Sequence, residues 1–567
     1  MITPTATLIA RPIRMRRAES RTRFAVSARD RLNWVIRAFL VIGAVVLARL
    51  LYVAMFDTGA SARALAAGAP ARADIVDRNG VPMARTIMVR SIRVRPDRLM
   101  NDPRQLAVSL NRIFPDTSVA EFHRRLTGSR SAYIRRRATT EQLNAVNQLA
   151  EIAFEFPRES ERLYPQGPLG AHVLGFADID GRGVMGAEAA FNDRLTAEAS
   201  RGEPLPLSID MRVQAALEHE LSSAVTQLEA VGGAGLVMDA HSGEVLAMTS
   251  LPTFNPNRVS LSPVTAQRNA VTLNVYELGS TFKPLTFAAA IDAGVITDMA
   301  RRYDASQPIE VGGFRIRDSH SSGRWLNVPE ALVHSSNVVT ARIADQLGRE
   351  RMEQLFRRLE FDSRPHIELQ ERGRPLWPQS WGRTTTMTTG FGHGVAVTPL
   401  HLASAYAALV NGGIWRPATI RRLEDNDVPQ GRRVFSESTS ARMRQLLRMI
   451  VADGTGTRAD AIGYRVGGKT GSAEKPSAGG YARHSVVATF AAAFPMDNPR
   501  YVILAMIDEP RGNAFSLGQR TAGFTAAPVV RRVVMRIGPM LGIYPDENRD
   551  VDISELQPLL WRPRGER

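Results

Sequence analysis

An α/β domain, preceded by a β-rich segment and by one apolar anchor, is the architecture that the 567-residue sequence predicts. Three observations predict it. A basic stretch runs directly into an apolar window. Short strand-like runs separated by turn residues fill the positions that follow. Beyond residue 206 helices and strands alternate, with strands at both ends of that stretch. The length implies two or three globular units, and 44% hydrophobic with 23% charged residues is too evenly mixed for a fibre or a disordered chain. Cysteine is absent, which excludes disulfides, cysteine nucleophiles and thiolate metal sites.

The basic tail, residues 1–34, comes first. Counted to residue 37, nine arginines stand against Glu19 and Asp30, so +7 of the chain's +16 lies there. The other +9 is spread over 530 residues with no dense stripe and no zinc-finger or RNP-like signature, which argues against nucleic acid. Arg135-Arg136-Arg137 reads as a solvated face. The window 35–56 follows. Its unbroken core, Ala38 to Ala48, suits a buried helix as well as a membrane span. Arg37 and Arg49 lie near its ends, however, where long side chains snorkel towards headgroups, and the full window is long enough to span. The arginines before it place the N-terminus in the cytoplasm and everything after residue 57 outside. A cleaved signal peptide, with Ala64-Leu65-Ala66 as its cleavage site, is the rival reading; the long leader favours an uncleaved anchor.

Residues 57–205 carry strand-like runs and turns. Asn79-Gly80, between Ile75-Val76 and Val81, supplies positive φ for a tight turn. A glycine-rich passage runs from Tyr164-Pro165 to Glu188. These features predict a loosely built pedestal without catalytic groups. From 206 to 545 the texture changes. Gly235–Asp239 and Val245–Met248 flank His241-Ser242-Gly243 as a hairpin, and Val486–Ala493 and Tyr501–Ile507 read as two late strands. Helical stretches at 283–293, 398–411 and 437–452 lie between, so the sheet is completed by distant segments. The tail 546–567, rich in proline and arginine, is expected to be poorly ordered.

The basic residues hold a sharper signal. Of 72, 69 are arginine and three are lysine: Lys283, Lys469 and Lys475. An ammonium can give up its proton inside a protein, whereas a guanidinium effectively cannot. A surviving lysine therefore marks a place where arginine fails chemically, or is a chance leftover. Lys283 lies in Ser280-Thr281-Phe282-Lys283-Pro284. Serine and lysine three apart share a helical face, and Pro284 makes the helix begin near Ser280, at its positive end. Serine needs an adjacent base, and a lysine can serve once its pKa falls towards neutrality. Alone, this motif is weak.

Lys469 lies in Gly467-Gly468-Lys469-Thr470-Gly471-Ser472, where glycines let a ligand backbone approach an edge strand, and a cationic lysine with two hydroxyls suits a carboxylate. The string from Gly463 to Thr470 also fits a phosphate-binding loop, but that motif opens a helix and Ser472 onward reads as extended. Ser335-Ser336-Asn337 can relay a proton and orient an amide, or can cap a helix.

Taken in this order and spacing, Ser-x-x-Lys, Ser-x-Asn and Lys-Thr-Gly resemble the penicillin-binding proteins and their β-lactamase relatives. The wider resemblance is to the class B penicillin-binding proteins, over most of the chain. It rests also on Arg72 with Asp77-Arg78-Asn79-Gly80, on Arg162 to Glu188, on Arg268-Asn269, on Val397-Thr398-Pro399-Leu400 and on Ala526-Ala527-Pro528. Leu278 and Ser472 depart from the usual proline and threonine without removing a needed group. The stretch before the pedestal is too short for the glycosyltransferase domain of class A. Arg315-Ile316-Arg317-Asp318, Arg324-Trp325-Leu326 and Ser335-Ser336-Asn337 look most like the division-specific D,D-transpeptidase type, against an elongation type.

The resemblance implies a central antiparallel sheet flanked by helices, and serine acyl transfer on peptidoglycan stem peptides. In it Ser280 is the nucleophile, Lys283 the base, Ser335 the proton relay with Lys469 assisting, and Asn337, Thr470, Gly471 and Ser472 hold substrate. The backbone amides of Ser280 and Ser472 form the oxyanion hole. No metal or organic cofactor is implied. β-Lactams are the expected inhibitors, and a SEDS-family glycan polymerase and other division membrane proteins the expected partners, at the bacterial inner membrane with the catalytic part periplasmic. A scaffold that mainly activates that polymerase, and a β-lactam sensor or β-lactamase, are the competing readings. Lys475 reads as an exposed or substrate-edge residue, and His172, His320 and His393 as structural, since Lys283 already supplies the base.

Overall fold

Residues 33–34, 36–48, 72–200, 202–477 and 480–561 are described by a computed structural model and fall into two units, 1–69 and 70–567. In the first unit, 33–34 and 36–48 are helical and exposed. Among the described residues no helix is long and apolar enough to cross a membrane. Residues 35 and 49–56 of the expected anchor, most of the basic tail, and the rival cleavage site at 64–66 lie outside the described residues.

The second unit opens with the β-rich segment. Gly80 takes φ 83°, and the Asp77 carboxylate accepts from the backbone N–H groups of Asn79 and Val81, each at 2.8 Å. This turn sets strand Ile75–Val76 antiparallel to Pro82–Arg90, in a four-stranded sheet with Arg158–Leu163 and Leu205–Pro206 outermost. A three-stranded sheet centred on Ile92–Val94 packs with nearby helices around Leu110, Phe114, Phe122 and Ile134.

The pedestal is not loosely built. Fully buried Glu188 is held by Arg72 Nε at 2.6 Å and Arg162 Nε at 2.7 Å, with the Tyr164 hydroxyl at 3.3 Å. Arg162 also donates to the Ala73 carbonyl, and Arg72 to the Gly181 carbonyl and to Asn192. Two guanidiniums and a carboxylate withdrawn from water need this full set of partners. The knot ties together three stretches distant in sequence. Glycine-rich composition hid it, because the bonding groups are scattered singly through the chain.

Five strands build the central sheet: β1 Gly232–Asp239, β2 Val245–Leu251, β3 Gly467–Ser477, β4 Gly480–Phe494 and β5 Tyr501–Asp508. All neighbours are antiparallel, in the order β2-β1-β5-β4-β3. Two strands come from the start of the domain and three from its end, as the alternation predicts. Six helices matter below: α1 Met211–Gln227, α2 Lys283–Asp292, α3 Asn337–Leu347, α4 Pro399–Val410, α5 Glu437–Asp453 and α6 Ala526–Met540. The period-2 alternation of the strands sorts their side chains between two cores. Val237, Phe490 and Ile503 face α1 and α6, whereas Leu236, Met238, Leu504 and Met506 join the core shared with α2, α4 and α5. Apolar side chains on both faces explain why these strands read as continuous hydrophobic runs.

The expectation for the tail is corrected as far as Trp561. Leu556 is 2% exposed, Asp550 pairs with Arg448 at 2.7 Å, and the Leu559 carbonyl accepts from Asn327 Nδ2 at 2.6 Å. A segment with little regular structure is ordered here by what it docks on.

Candidate active site

The nucleophile candidate sits on a forced turn. Gly279 takes φ 53° and opens a single 3₁₀ turn, Gly279–Phe282, that runs into α2. The α-helix proper starts at Lys283, slightly later than the proline suggests, because the tighter turn comes before it. Pro284 occupies the first turn, where no amide donor is required. The Thr281 hydroxyl donates to the Leu278 carbonyl at 2.8 Å, and the Tyr406 hydroxyl of α4 donates to the Thr281 carbonyl at 2.8 Å. Ser280, half-buried, is thus held from two sides.

Ser335 owes its position to a helix end. The short helix Val328–Val333 closes with the Ser335 N–H bonded to the Leu332 carbonyl at 3.2 Å and the Ser336 N–H to the Ala331 carbonyl at 2.8 Å. That pattern requires a left-handed residue after the cap, and Ser335 supplies it with φ 58°. For a residue with a Cβ this costs about 1–2 kcal/mol, so glycine would be the easier choice but carries no hydroxyl. Ser336 then caps α3, accepting from the Val339 N–H at 3.1 Å and donating to Asp318 Oδ2 at 2.7 Å. The helix-cap reading therefore belongs to Ser336 and the chemical reading to Ser335.

Three motifs meet at the Ser335 hydroxyl. Lys283 Nζ donates to Ser335 Oγ at 3.1 Å and also to the Ser335 carbonyl, while Lys469 Nζ donates to the same Oγ at 2.9 Å. Both lysines are fully buried. Burial pushes the Lys283 amine well below its usual range and the Lys469 charge pushes it further, with Asp318 opposing. Burial brings Lys469 down to about 7. Of two amines on one oxygen, we assign the neutral form to Lys283, which carries both lowering influences.

β3 brings the third motif to the nucleophile turn as an edge strand, paired among the described residues with β4 alone. A Cβ on Gly471 would stand 2.4 Å from the Leu278 carbonyl oxygen and 2.8 Å from Thr281 Cγ2, so only glycine lets the strand lie this close. Lys469 also donates to the Thr470 carbonyl at 3.1 Å and hydroxyl at 3.2 Å. The Thr470 and Thr455 hydroxyls are 2.9 Å apart. Ser472 Oγ accepts from the Ala522 N–H at 3.0 Å, and Asn337 Nδ2 donates to the Arg317 carbonyl at 3.0 Å.

Ser335, Lys283 and Lys469 are bonded together directly, and Thr470, Gly471 and Ser472 follow along the strand beside Ser280. Asn337 begins α3 next to Ser335. Lys475 is not exposed: half-buried, it pairs with Asp508 at 2.5 Å and Glu509 at 2.8 Å. His172 is buried and bonded to the Ala266 carbonyl at 2.9 Å, with its pKa lowered to about 4 by burial. His393 faces Glu277 at 3.4 Å, and His320 is exposed. Sequence reasoning missed Asp318 as an anchor of the Ser335–Asn337 loop, although it ends the quoted Arg-x-Arg-Asp string. It also missed Thr455, whose only signal was the string Gly454-Thr455-Gly456-Thr457.

Comparison with known proteins bears on this geometry. Residues 233–535 match the penicillin binding protein transpeptidase domain, and residues 67–199 the penicillin-binding protein dimerisation domain. The chain is 41% identical over 483 residues to a probable peptidoglycan D,D-transpeptidase FtsI of Caulobacter vibrioides, covering 83% of this chain and 82% of that one. It is 29% identical over 517 residues to the peptidoglycan D,D-transpeptidase FtsI of Escherichia coli K12, covering 85% and 86%. Among solved structures it is similar to penicillin-binding protein 3 of Mycobacterium tuberculosis complexed with aztreonam, with a TM-score of 0.66 and 25% identity over 84% of this chain and 98% of that one.

Proposed function

The chain belongs to the penicillin-binding protein transpeptidase family, and we infer that it is a peptidoglycan D,D-transpeptidase that cross-links stem peptides by way of an acyl-enzyme at Ser280. One observation carries the assignment of residues: two fully buried amines, on separate motifs, share one serine hydroxyl, and one of them, Lys283, directly follows the turn that carries Ser280. That arrangement supplies a base without histidine.

In this reading Lys283, kept neutral, takes the Ser280 proton as Oγ attacks the carbonyl between the terminal D-alanines. The amides of Ser280 and Ser472 receive the developing oxyanion, a contribution of roughly 3–4 kcal/mol for such a donor. The carbon–nitrogen bond then breaks, and Ser335 passes a proton to the departing amine, drawing on the lysines bonded to it. Lys469, Thr470 and Ser472 bind the terminal carboxylate. With its Nδ2 committed to the Arg317 carbonyl, Asn337 offers Oδ1 to a substrate amide. A neighbouring peptide's amine attacks the acyl-enzyme, forms the cross-link and frees Ser280. A β-lactam enters the same sequence and stops at the ester.

We assign residues 57–205 to the pedestal and 206–545 to the transpeptidase domain. The +7 of residues 1–37 and the apolar window 35–56 support a single-pass anchor in the bacterial inner membrane with a periplasmic catalytic part. The division role, with a SEDS-family polymerase and other division proteins as partners, rests on the sequence resemblance.

Labelling with a fluorescent penicillin tests the enzymatic reading, with a stable adduct on Ser280 expected by mass spectrometry. A chain that forms none is a scaffold, and one that rapidly releases a hydrolysed adduct is a β-lactamase. Depletion followed by microscopy tests the role: filaments are expected, and rounded cells would assign it to elongation.

A further inference from the structure

The end of the described chain reaches the helix that presents Ser335. Glu330, 1% exposed, is the meeting point. Its Oε1 accepts from the Trp561 N–H at 3.0 Å and pairs with Arg324 at 2.8 Å, and its Oε2 accepts from the Asn327 N–H at 3.0 Å. Asn327 caps the same helix by accepting from the Glu330 N–H at 3.0 Å, and spends its Nδ2 on the Leu559 carbonyl. The Arg324 guanidinium lies 5.1 Å from the centre of the Trp561 ring. The helix entrance is thus tied to residues 559–561 at two points, across more than 200 residues of sequence.

Why this matters for Ser335 follows from the helix's length. Val328–Val333 is six residues, too short to hold itself in water, so its caps and its packing fix where it lies. Its far end is the left-handed turn at Ser335, roughly 9 Å from its start at 1.5 Å per residue. Between a fixed entrance and a strained exit the helix has little freedom, and a shift at the entrance is delivered to the Ser335 hydroxyl. Glu330 is also committed: with the Trp561 N–H gone, its Oε1 keeps only Arg324 at 2.8 Å, and the restraint that the tail places on the helix is lost at that point.

We propose that residues 559–561 are a strap that positions Ser335 through Glu330, so that Glu330 and the Trp561 amide are positioning residues for the proton relay. The proposal rests on the transpeptidase reading above. The strap touches no substrate, and its effect is on where the Ser335 Oγ stands relative to the two amines.

The test uses the full chain with three single variants. Trp561→Pro deletes the amide donor, and Leu560 at φ −76° and ψ 124° already has the backbone that precedes a proline. Glu330→Gln keeps the shape and removes the charge. Trp561→Ala removes the ring and keeps the N–H. The second-order rate of Ser280 acylation by a fluorescent penicillin is measured across pH, beside thermal unfolding. Trp561→Pro and Glu330→Gln are each expected to slow acylation roughly tenfold and to displace the acid limb of the profile, because the hydroxyl between the lysines has moved. Trp561→Ala should stay within about threefold of the parent. The double variant that combines Trp561→Pro with Glu330→Gln should be no slower than the slower single, as expected for one shared path. Parent-like rates with a superimposed profile in the proline and glutamine variants overturn the proposal, even if stability falls. So do effects that simply multiply in the double variant. A parent chain that penicillin does not acylate refutes the proposed function instead.

Discussion

Replacing Lys283 with arginine separates the two things this buried side chain can do: hold Ser335 and move a proton. Arginine keeps donors at the end of a long side chain, so any role confined to holding Ser335 survives in part. Proton transfer does not. At pH 7.5 a guanidinium is deprotonated in about one molecule in 10⁵ or fewer. General-base catalysis by a positioned side chain contributes about 10²–10⁴-fold, so acylation should fall by about that much, with the proton-availability limit of about 10⁵ as the floor. Two further costs point the same way. The amine is 0% exposed, so the larger head must displace packed neighbours, at about 1–3 kcal/mol. Lys469, which shares the Ser335 hydroxyl at 2.9 Å, would also face a permanent positive charge. The assay is the rate constant for Ser280 labelling by a fluorescent penicillin, with the adduct site read by mass spectrometry and folding checked by circular dichroism. A folded Lys283→Arg protein that acylates Ser280 within tenfold of the parent would refute the assignment of Lys283 as base.

The other expectations concern pH, approach and the pedestal. Lys283, the base, is pushed well below its usual range by burial and by the Lys469 charge, so acylation should fall only on the acid side, where that amine takes up a proton and no base is left. A rate that does not fall on acidification short of unfolding would contradict this. The same amines bear on stability. Lys469 has a folded pKa near 7 and an unfolded one of 10.5, so the unfolded chain binds more protons between those values and stability should climb with pH across that window, a burial cost of about 5 kcal/mol being relieved. Urea unfolding at several pH values measures it. Gly471→Ala places a methyl 2.4 Å from the Leu278 carbonyl oxygen, which must push β3 from the nucleophile turn and cost at least about 10²-fold in acylation; an unimpaired variant would show that the strand does not need this approach. Glu188→Gln leaves Arg72 and Arg162 buried without their counter-charge and should destabilise the pedestal by about 3–5 kcal/mol, seen as a lower unfolding midpoint. An unchanged midpoint would make the knot incidental.

Much of the fold and the core of the site were legible because both depend on local patterns. Strands buried on two faces show as apolar runs, and Gly235–Asp239 and Tyr501–Ile507 fall inside β1 and β5. Ser280 with Lys283, and Lys469 with Thr470, are motifs whose chemistry follows from neighbours in sequence. What stayed hidden was long-range. Nothing around Ser335 announces a positive φ, because the sign usually read for it is glycine, and here the hydroxyl was kept at the cost of strain. Glu188 looks like any surface acid until Arg72 and Arg162 reach it from earlier in the chain, and Glu330 until the Trp561 N–H does. The docked tail was misread for the same reason, since its order comes from the surface beneath it.

The scarcity of lysine can now be judged residue by residue. If each of the three were kept for proton chemistry, each should be buried, short of counter-charge and pushed down in pKa. Lys283 and Lys469 meet that description: both are fully buried, both are lowered, and both bond the same hydroxyl. Lys475 does not. It lies between two carboxylates, Asp508 and Glu509, and these raise its pKa against the pull of burial. A guanidinium could serve such an ion pair equally well, so nothing at that position demands an amine. The rule therefore sorts by environment and not by count. In a chain that otherwise uses arginine, a lysine signals catalysis only where the fold withholds the carboxylate that would keep it charged. At Ser335 the fold brings two such amines onto one oxygen, and Asp318, the carboxylate that opposes the shift of Lys283, spends its bonds on Ser336 and the Val338 N–H.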